Sequence, residues 1–190
     1  MKKISLIAIM ALVMGFVGSD ALAQKNTQIN WIEMNSIDDA IKETVENKRI
    51  FVDSYTDWCG WCKRMDRDTF ADTLIAKIMN HYFINIKFDA ETKDEIMFGG
   101  QVFKNPNPKG RRTAHELTHY LLNKRLSYPS YTVMNKDLTI ATIIPGYYPP
   151  EQFEAMAVFL GGRYDEVYSW EEFREIYPKE IRETVLESLD

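Results

Sequence analysis

Polar and apolar positions change period along the chain, and those changes mark out its elements. Ile29 to Met34 alternates weakly, as a first strand would. Ser36 then caps a helix that carries Asp38 and Asp39 in its first turn and Ile37, Ala40, Ile41, Thr44 and Val45 on one face. Arg49 to Tyr55 is a short run of β-formers and predicts a buried strand. Helical spacing follows from Cys62 to about Arg67 and from Leu74 to Tyr82, and Phe83 to Phe88 alternates again. Asn105-Pro106-Asn107-Pro108-Lys109-Gly110 is a loop, after which Thr113 or Ala114 to Leu122 is helical. Tyr131–Met134 and Thr139–Ile144 flank Asn135-Lys136-Asp137 and read as a hairpin. Pro149 or Pro150 opens a helix that Gly161-Gly162 ends, and the charged tail from Ser169 offers Trp170, Phe173, Ile176 and Tyr177 for docking. The order β-α-β-α-β-α-β-β-α plus a helical tail predicts an α/β fold, a central mixed β-sheet flanked by helices.

Composition agrees with a globular chain and narrows its partners. Of 190 residues, 45% are hydrophobic and 13% aromatic, too many for a disordered segment. A net charge of −5, with only short basic clusters such as Lys109-Gly110-Arg111-Arg112, argues against a nucleic-acid surface. Residues 1–23 look like a signal peptide: Lys2 and Lys3 precede the apolar run Ile4–Val17, and Ala21-Leu22-Ala23 supplies small residues at a cleavage site. The run is shorter than the roughly 20 residues of a membrane span. The expected organisation is therefore a signal peptide (1–23), a main domain (24–162) and a C-terminal helical extension packed on it (163–190). The expected location is periplasmic or otherwise exported, without stable membrane insertion.

Export changes the meaning of the two cysteines, Cys59 and Cys62, because thiols outside the cytosol oxidise where geometry permits. A bridge between them closes so small a ring that it stabilises little, which makes it a poor staple and a plausible redox device. In Trp58-Cys59-Gly60-Trp61-Cys62-Lys63 the pair follows a buried strand and opens a helix. There the free N–H groups and the helix dipole favour a thiolate at the first cysteine, which can attack a disulfide while the second resolves the product.

The segment Ile50 to Lys63, IFVDSYTDWCGWCK, resembles the active-site segment of the thioredoxin superfamily, and in particular its exported members with a WCxxCK motif. The resemblance runs from about Ile29 to Leu160. It implies Cys59 as the attacking and Cys62 as the resolving cysteine, and Asp53 as the buried carboxylate that takes the Cys62 proton, through water. It also implies Pro129 as a cis-proline facing the cysteines and Gly146 as the glycine near the end of the last strand. Tyr128 would offer its backbone to a substrate strand, and Trp58, Trp61 and Tyr128 would shape the groove. The implied partners are protein thiol or disulfide substrates and an electron-donor redox protein. The bridge itself carries the electrons, so no cofactor and no metal are required. The chain departs from the family in having Gly60-Trp61 between the cysteines. The absence of a histidine there argues for a reductant or general exchanger over a strong oxidant. The family's lysine near the carboxylate has no clean counterpart, since the expected register puts Asn85 there instead of Lys87. Glu91 to Thr113 is an insertion before the cis-proline helix, and the tail from Arg163 is extra.

Three rival readings follow from other residues. His115-Glu116-Leu117-Thr118-His119 matches the helical His-Glu-x-x-His pattern of zinc hydrolases. However, no third ligand follows at a matching spacing, and Leu117, Leu121 and Leu122 facing inward would put both histidines on the outer side. Cys59, Cys62, His115 and His119 form a possible structural zinc set, though 52 residues separate the pairs. A redox-silent module binding a partner through Tyr147, Tyr148, Tyr164, Tyr168 and Trp170 is the last; those aromatics are expected instead to dock the tail onto the sheet.

Overall fold

A computed structural model describes residues 28–43 and 48–189. The expected signal peptide, and Thr44 and Val45 of the first helix, lie outside the described residues. The elements are β1 (Trp31–Glu33), α1 (Ile37–Glu43), β2 (Arg49–Tyr55), α2 (Gly60–Met65), α3 (Thr73–Tyr82), β3 (Phe83–Asp89), β4 (Ile96–Phe98), β5 (Gln101–Phe103), α4 (Glu116–Leu121), β6 (Ser130–Met134), β7 (Ile140–Pro145), α5 (Pro150–Gly161), α6 (Trp170–Ile176) and α7 (Arg182–Ser188). A π-helical turn, Asp66–Phe70, continues α2.

Five strands form one sheet in the order β1-β3-β2-β6-β7. β1, β3 and β2 run parallel, and β6 and β7 are added antiparallel. Because side chains alternate along a strand, β2 feeds two cores. Phe51 points to one, packed with Met65, Ile75, Ile78 and Phe153 from α2, α3 and α5, Phe70 from the π-helical turn, and Phe83 and Tyr131 from β3 and β6. Ile50 and Val52 point to the other, with Ile84 and Ile86 of β3 and Ile37, Phe98, Leu117 and Leu121 from α1, the β4–β5 hairpin and α4. Burial on both faces explains why β2 reads as a continuous apolar run. Phe51 anchors the first core, its ring 5.3 Å from Tyr131, 5.7 Å from Phe83 and 5.9 Å from Phe153.

Local chemistry sets the helix ends. The Asp72 carboxylate accepts N–H bonds from Leu74 and Ile75, so α3 starts at Thr73. Pro150 sits in the first turn of α5, where its missing N–H costs nothing. Ser169 and Glu172 form a capping box ahead of α6.

The tail packs on α5, where the sequence pattern suggested the sheet. Phe173 is fully buried against Phe159 at 5.0 Å, and Trp170 packs tilted on Phe159 at 5.3 Å while stacking on Phe173 at 6.3 Å. The Glu154 carboxylate of α5 accepts bonds from the Tyr177 hydroxyl (2.8 Å) and Arg182 Nε (2.6 Å). The turn before α6 is held separately: Arg49, buried at the start of β2, donates to Asp165 (2.7 Å), Glu166 (3.2 Å) and the Leu160 carbonyl (2.8 Å).

The insertion is more ordered than its composition suggests. Its first half is the hairpin β4–β5, turning through Gly99 and Gly100, both at positive φ. Its base is gathered by buried Asn105, whose Nδ2 donates to the carbonyls of Thr92 (2.9 Å) and Thr113 (3.0 Å) while Oδ1 accepts from the Asn107 N–H (3.0 Å).

Candidate active site

β2 delivers the chain to the start of α2, and the turn between them is fixed by Cys59 N–H donating to the Thr56 carbonyl (3.1 Å). Cys59 keeps an extended backbone and caps the helix: its Sγ accepts the N–H of Cys62 at 3.1 Å. The two cysteines are bridged, with Cα atoms 5.3 Å apart. The N–H that meets Cys59 Sγ in the disulfide is also placed to stabilise a Cys59 thiolate after reduction. Both cysteines are nearly covered, 4% and 3% exposed, while Trp58 and Trp61 beside them stand 48% and 54% exposed.

β6 begins opposite the end of β2, with Ser130 paired to Ser54. The Tyr128-Pro129 peptide just ahead of it is cis, as the resemblance implied. Tyr128 meets Trp58 edge to face at 6.0 Å, which sets the cis-proline turn beside the cysteine motif. The Pro129 carbonyl accepts the N–H of Gly146 at 2.8 Å. Gly146 has φ +102°, a conformation that L side chains rarely adopt, so glycine is required there.

Two aromatic walls border the motif. On one side Trp58 packs on Tyr128, donates Nε1–H to the Glu91 carboxylate (3.1 Å) and is covered by the Arg112 guanidinium at 5.0 Å. Burial, with Glu91 and Asp89 nearby, pushes the Tyr128 phenol up to about 12. On the other side Trp61 packs on Tyr147 at 5.6 Å, and Arg64 lies over both rings at 5.2 and 4.9 Å. Tyr147 is thus a neighbour of the motif, where the sequence suggested a tail contact. Glu91 and Arg112, both from the insertion, had no signal in the sequence, because nothing local says that residues 33 and 54 positions beyond Trp58 return to its ring.

Asp53 is 2% exposed on β2, and its Oδ2 is 2.6 Å from Lys87 Nζ on β3. Lys87 also donates to Asp66, which directly follows α2. The ammonium lies over the rings of Trp31 (4.9 Å), Tyr55 (5.2 Å) and Phe70 (5.4 Å). Burial raises the Asp53 carboxyl to about 6, against the opposing pull of Lys87. Burial lowers Lys87 in turn, but Asp53 and Asp66 outweigh it and leave the ammonium above the ordinary lysine value. The expected register is corrected here: Asp53 pairs with Lys87, and Asn85 pairs with Phe51 one step back. The site therefore has its lysine, and holds a carboxylate poised to exchange a proton near neutral pH.

The histidine motif is built differently from its expectation. His115 is extended, fully buried and outside the helix, as the cap of α4. Its Nδ1 accepts the Leu117 N–H at 3.2 Å, which leaves Nε2 to donate to the Asp94 carbonyl at 3.0 Å. Burial holds its pKa below the usual histidine value. Both ring nitrogens are occupied, and His115 and His119 do not share a helical face. Among the described residues, no three His, Cys, Asp or Glu side chains are grouped to hold a metal ion.

A thioredoxin-like DsbH family model, described as a protein of unknown function, DUF255, matches residues 18–110. The thiol:disulfide interchange protein DsbD of Escherichia coli K12 is 31% identical over 64 residues, 33% of this chain and 11% of that protein. The chain thus spans only about a tenth of the curated relatives it matches. A thioredoxin-fold protein from Helicobacter pylori superposes over 84% of this chain and 92% of its own at TM-score 0.52 and 16% identity. A Bacteroides thetaiotaomicron protein provisionally described as a disulphide-isomerase covers 71% of this chain and 93% of its own at TM-score 0.50 and 26% identity. Fold, motif and these likenesses together support a thioredoxin-superfamily protein with a Cys59–Cys62 centre of the thiol–disulfide oxidoreductase kind.

Proposed function

We propose that this protein is an exported oxidoreductase that exchanges dithiol and disulfide with protein substrates, working as a reductant or general exchanger. The observation that carries the reading is the Cys59–Cys62 bridge at the start of α2, set between a cis-proline turn and a buried carboxylate. In the reducing direction the Cys59 thiolate attacks a substrate disulfide. A Cys59–substrate bond forms, the substrate's own S–S bond breaks, and the departing sulfur takes a proton from solvent. Asp53 then accepts the Cys62 proton through water, and the Cys62 thiolate attacks Cys59 Sγ. The Cys59–Cys62 bond forms, the second substrate sulfur leaves as a thiol, and the two electrons have passed to the substrate. An electron-donor redox protein returns the bridge to dithiol. Trp58, Trp61 and Tyr128 are the substrate contacts in this reading. The backbone of Tyr128 pairs with an extended substrate segment, and Gly146 supports Pro129 from behind.

Export rests on the signal-like residues 1–23, and no helix among the described residues is long and apolar enough to cross a membrane. The reducing direction rests on Gly60-Trp61, which places no histidine beside the thiolate. The test is turnover of a model disulfide protein by the full chain with a chemical thiol donor. Wild type is expected to exceed the donor alone by at least about tenfold, Cys59→Ser to fall to background, and Cys62→Ser to accumulate a mixed disulfide through Cys59. Wild-type turnover no faster than the donor alone would overturn the reading.

A further inference from the structure

Asp53 has two carboxylate oxygens, and Lys87 serves only Oδ2; Oδ1 is buried with no hydrogen-bond partner. Directly across the β2–β6 ladder, Tyr131 is the register partner of Asp53. It is fully buried, and its hydroxyl also lacks a partner. Buried polar atoms are nearly always paired, directly or through an ordered water, because an unmade bond there costs on the order of 1–3 kcal/mol. Two such atoms on cross-strand neighbours are therefore a joint feature. The ring is fixed by Phe51, stacked at 5.3 Å, and by Phe70 and Phe153 at 5.9 and 6.2 Å. A phenylalanine would fill this packing equally well, so packing does not account for the hydroxyl.

We infer that Tyr131 is a positioning residue for Asp53, its hydroxyl completing through one bridging water the hydrogen bonding of Oδ1 that Lys87 provides at Oδ2. This rests on the oxidoreductase reading and extends it: the base of the resolving step is held from two strands, by an ammonium on β3 and a phenol on β6. The charged and titratable groups facing the pair are Lys87, Asp66 and Tyr148. Burial and the charges of Asp53 and Asp66 keep the phenol well above its ordinary value, so it stays a donor throughout the working range.

The test is carbon NMR titration of the Asp53 carboxyl in the oxidised full chain, for wild type, Tyr131→Phe and Lys87→Met. It needs no turnover, so it stands apart from the fate of the functional reading. Loss of a donor to an ionised carboxylate is expected to move the Asp53 titration up by about one pH unit in Tyr131→Phe. The acid limb of the resolving-step rate should move with it, while alkylation of Cys59 stays unchanged. Tyr131→Phe with the wild-type Asp53 titration, beside a Lys87→Met that moves it, would overturn the inference. So would a downward shift, and a loss of thermal stability alone would assign Tyr131 to packing.

Discussion

Lys87 Nζ stands 2.6 Å from Asp53 Oδ2, across the register of two parallel strands, with the Asp53 side chain 2% and the Lys87 side chain 17% exposed. The pair is unequal. Lys87 has a second carboxylate in Asp66 and an aromatic surround in Trp31, Tyr55 and Phe70, whereas among the described residues Lys87 is the one cation bonded to Asp53. Burial therefore wins at Asp53, and the carboxyl ends near neutrality despite an ammonium in contact.

That raised value fixes the sign of a stability effect. The Asp53 carboxyl titrates at about 6 when folded against 3.8 ordinarily, so the folded chain holds this proton more tightly than the unfolded one. The stability it contributes is full below about pH 4 and is lost as pH rises through 6. Asp53→Asn cannot ionise and escapes the loss. Chemical denaturation should find it more stable than wild type at pH 8, on the order of 2 kcal/mol, with no advantage at pH 4.

The same substitution separates the two chemical steps. Without the carboxylate, resolution of the mixed disulfide should slow by about a hundredfold at pH 7 while the first attack by Cys59 changes little. Stopped-flow measurement of the two phases checks this, and equal slowing of both would contradict the role given to Asp53.

Asn105 gathers the base of the insertion and bonds the carbonyl of Thr113, the residue next to the Arg112 that covers Trp58. Asn105→Ala removes those bonds and frees the segment. The expected kinetic signature is a KM for a protein substrate raised by about three- to tenfold with kcat nearly unchanged, a loss of uniform binding. A drop in kcat at constant KM would place the insertion in the chemistry.

Glu154 ties the tail to α5. Glu154→Ala leaves the buried Tyr177 hydroxyl and the Arg182 guanidinium without their carboxylate, at a cost of about 1–3 kcal/mol by denaturant unfolding. Because the clasp belongs to the tail, the reactivity of Cys59 should be retained.

Elements with a strong local pattern were legible in the sequence. β2 spans Arg49–Tyr55 as read, since burial on both faces leaves a run of β-formers, and the cysteine motif identified the turn into α2. The hairpin β4–β5 was not read, because two three-residue strands are too short to show a period; Gly99-Gly100 was its one signal. The lysine beside Asp53 was assigned away from Lys87 for a different reason. Asn85 and Lys87 lie two residues apart and face the same side of β3, so alternation cannot choose between them, and only the register of the neighbouring strand does. His115 was misplaced because helical spacing cannot tell a cap residue from the first helical turn. The contacts of Glu91, Arg112 and Tyr147 are long-range and leave no local trace.

The reduction potential of Cys59–Cys62 tests the central claim most directly. The full chain would be equilibrated against glutathione buffers and its thiols counted by alkylation, with metal content determined on the same sample. The account predicts a reversible two-electron transition at about −200 to −270 mV, the range of reducing and exchanging members of the fold. A pair that never bridges in any buffer, with one zinc ion held per chain, would contradict it.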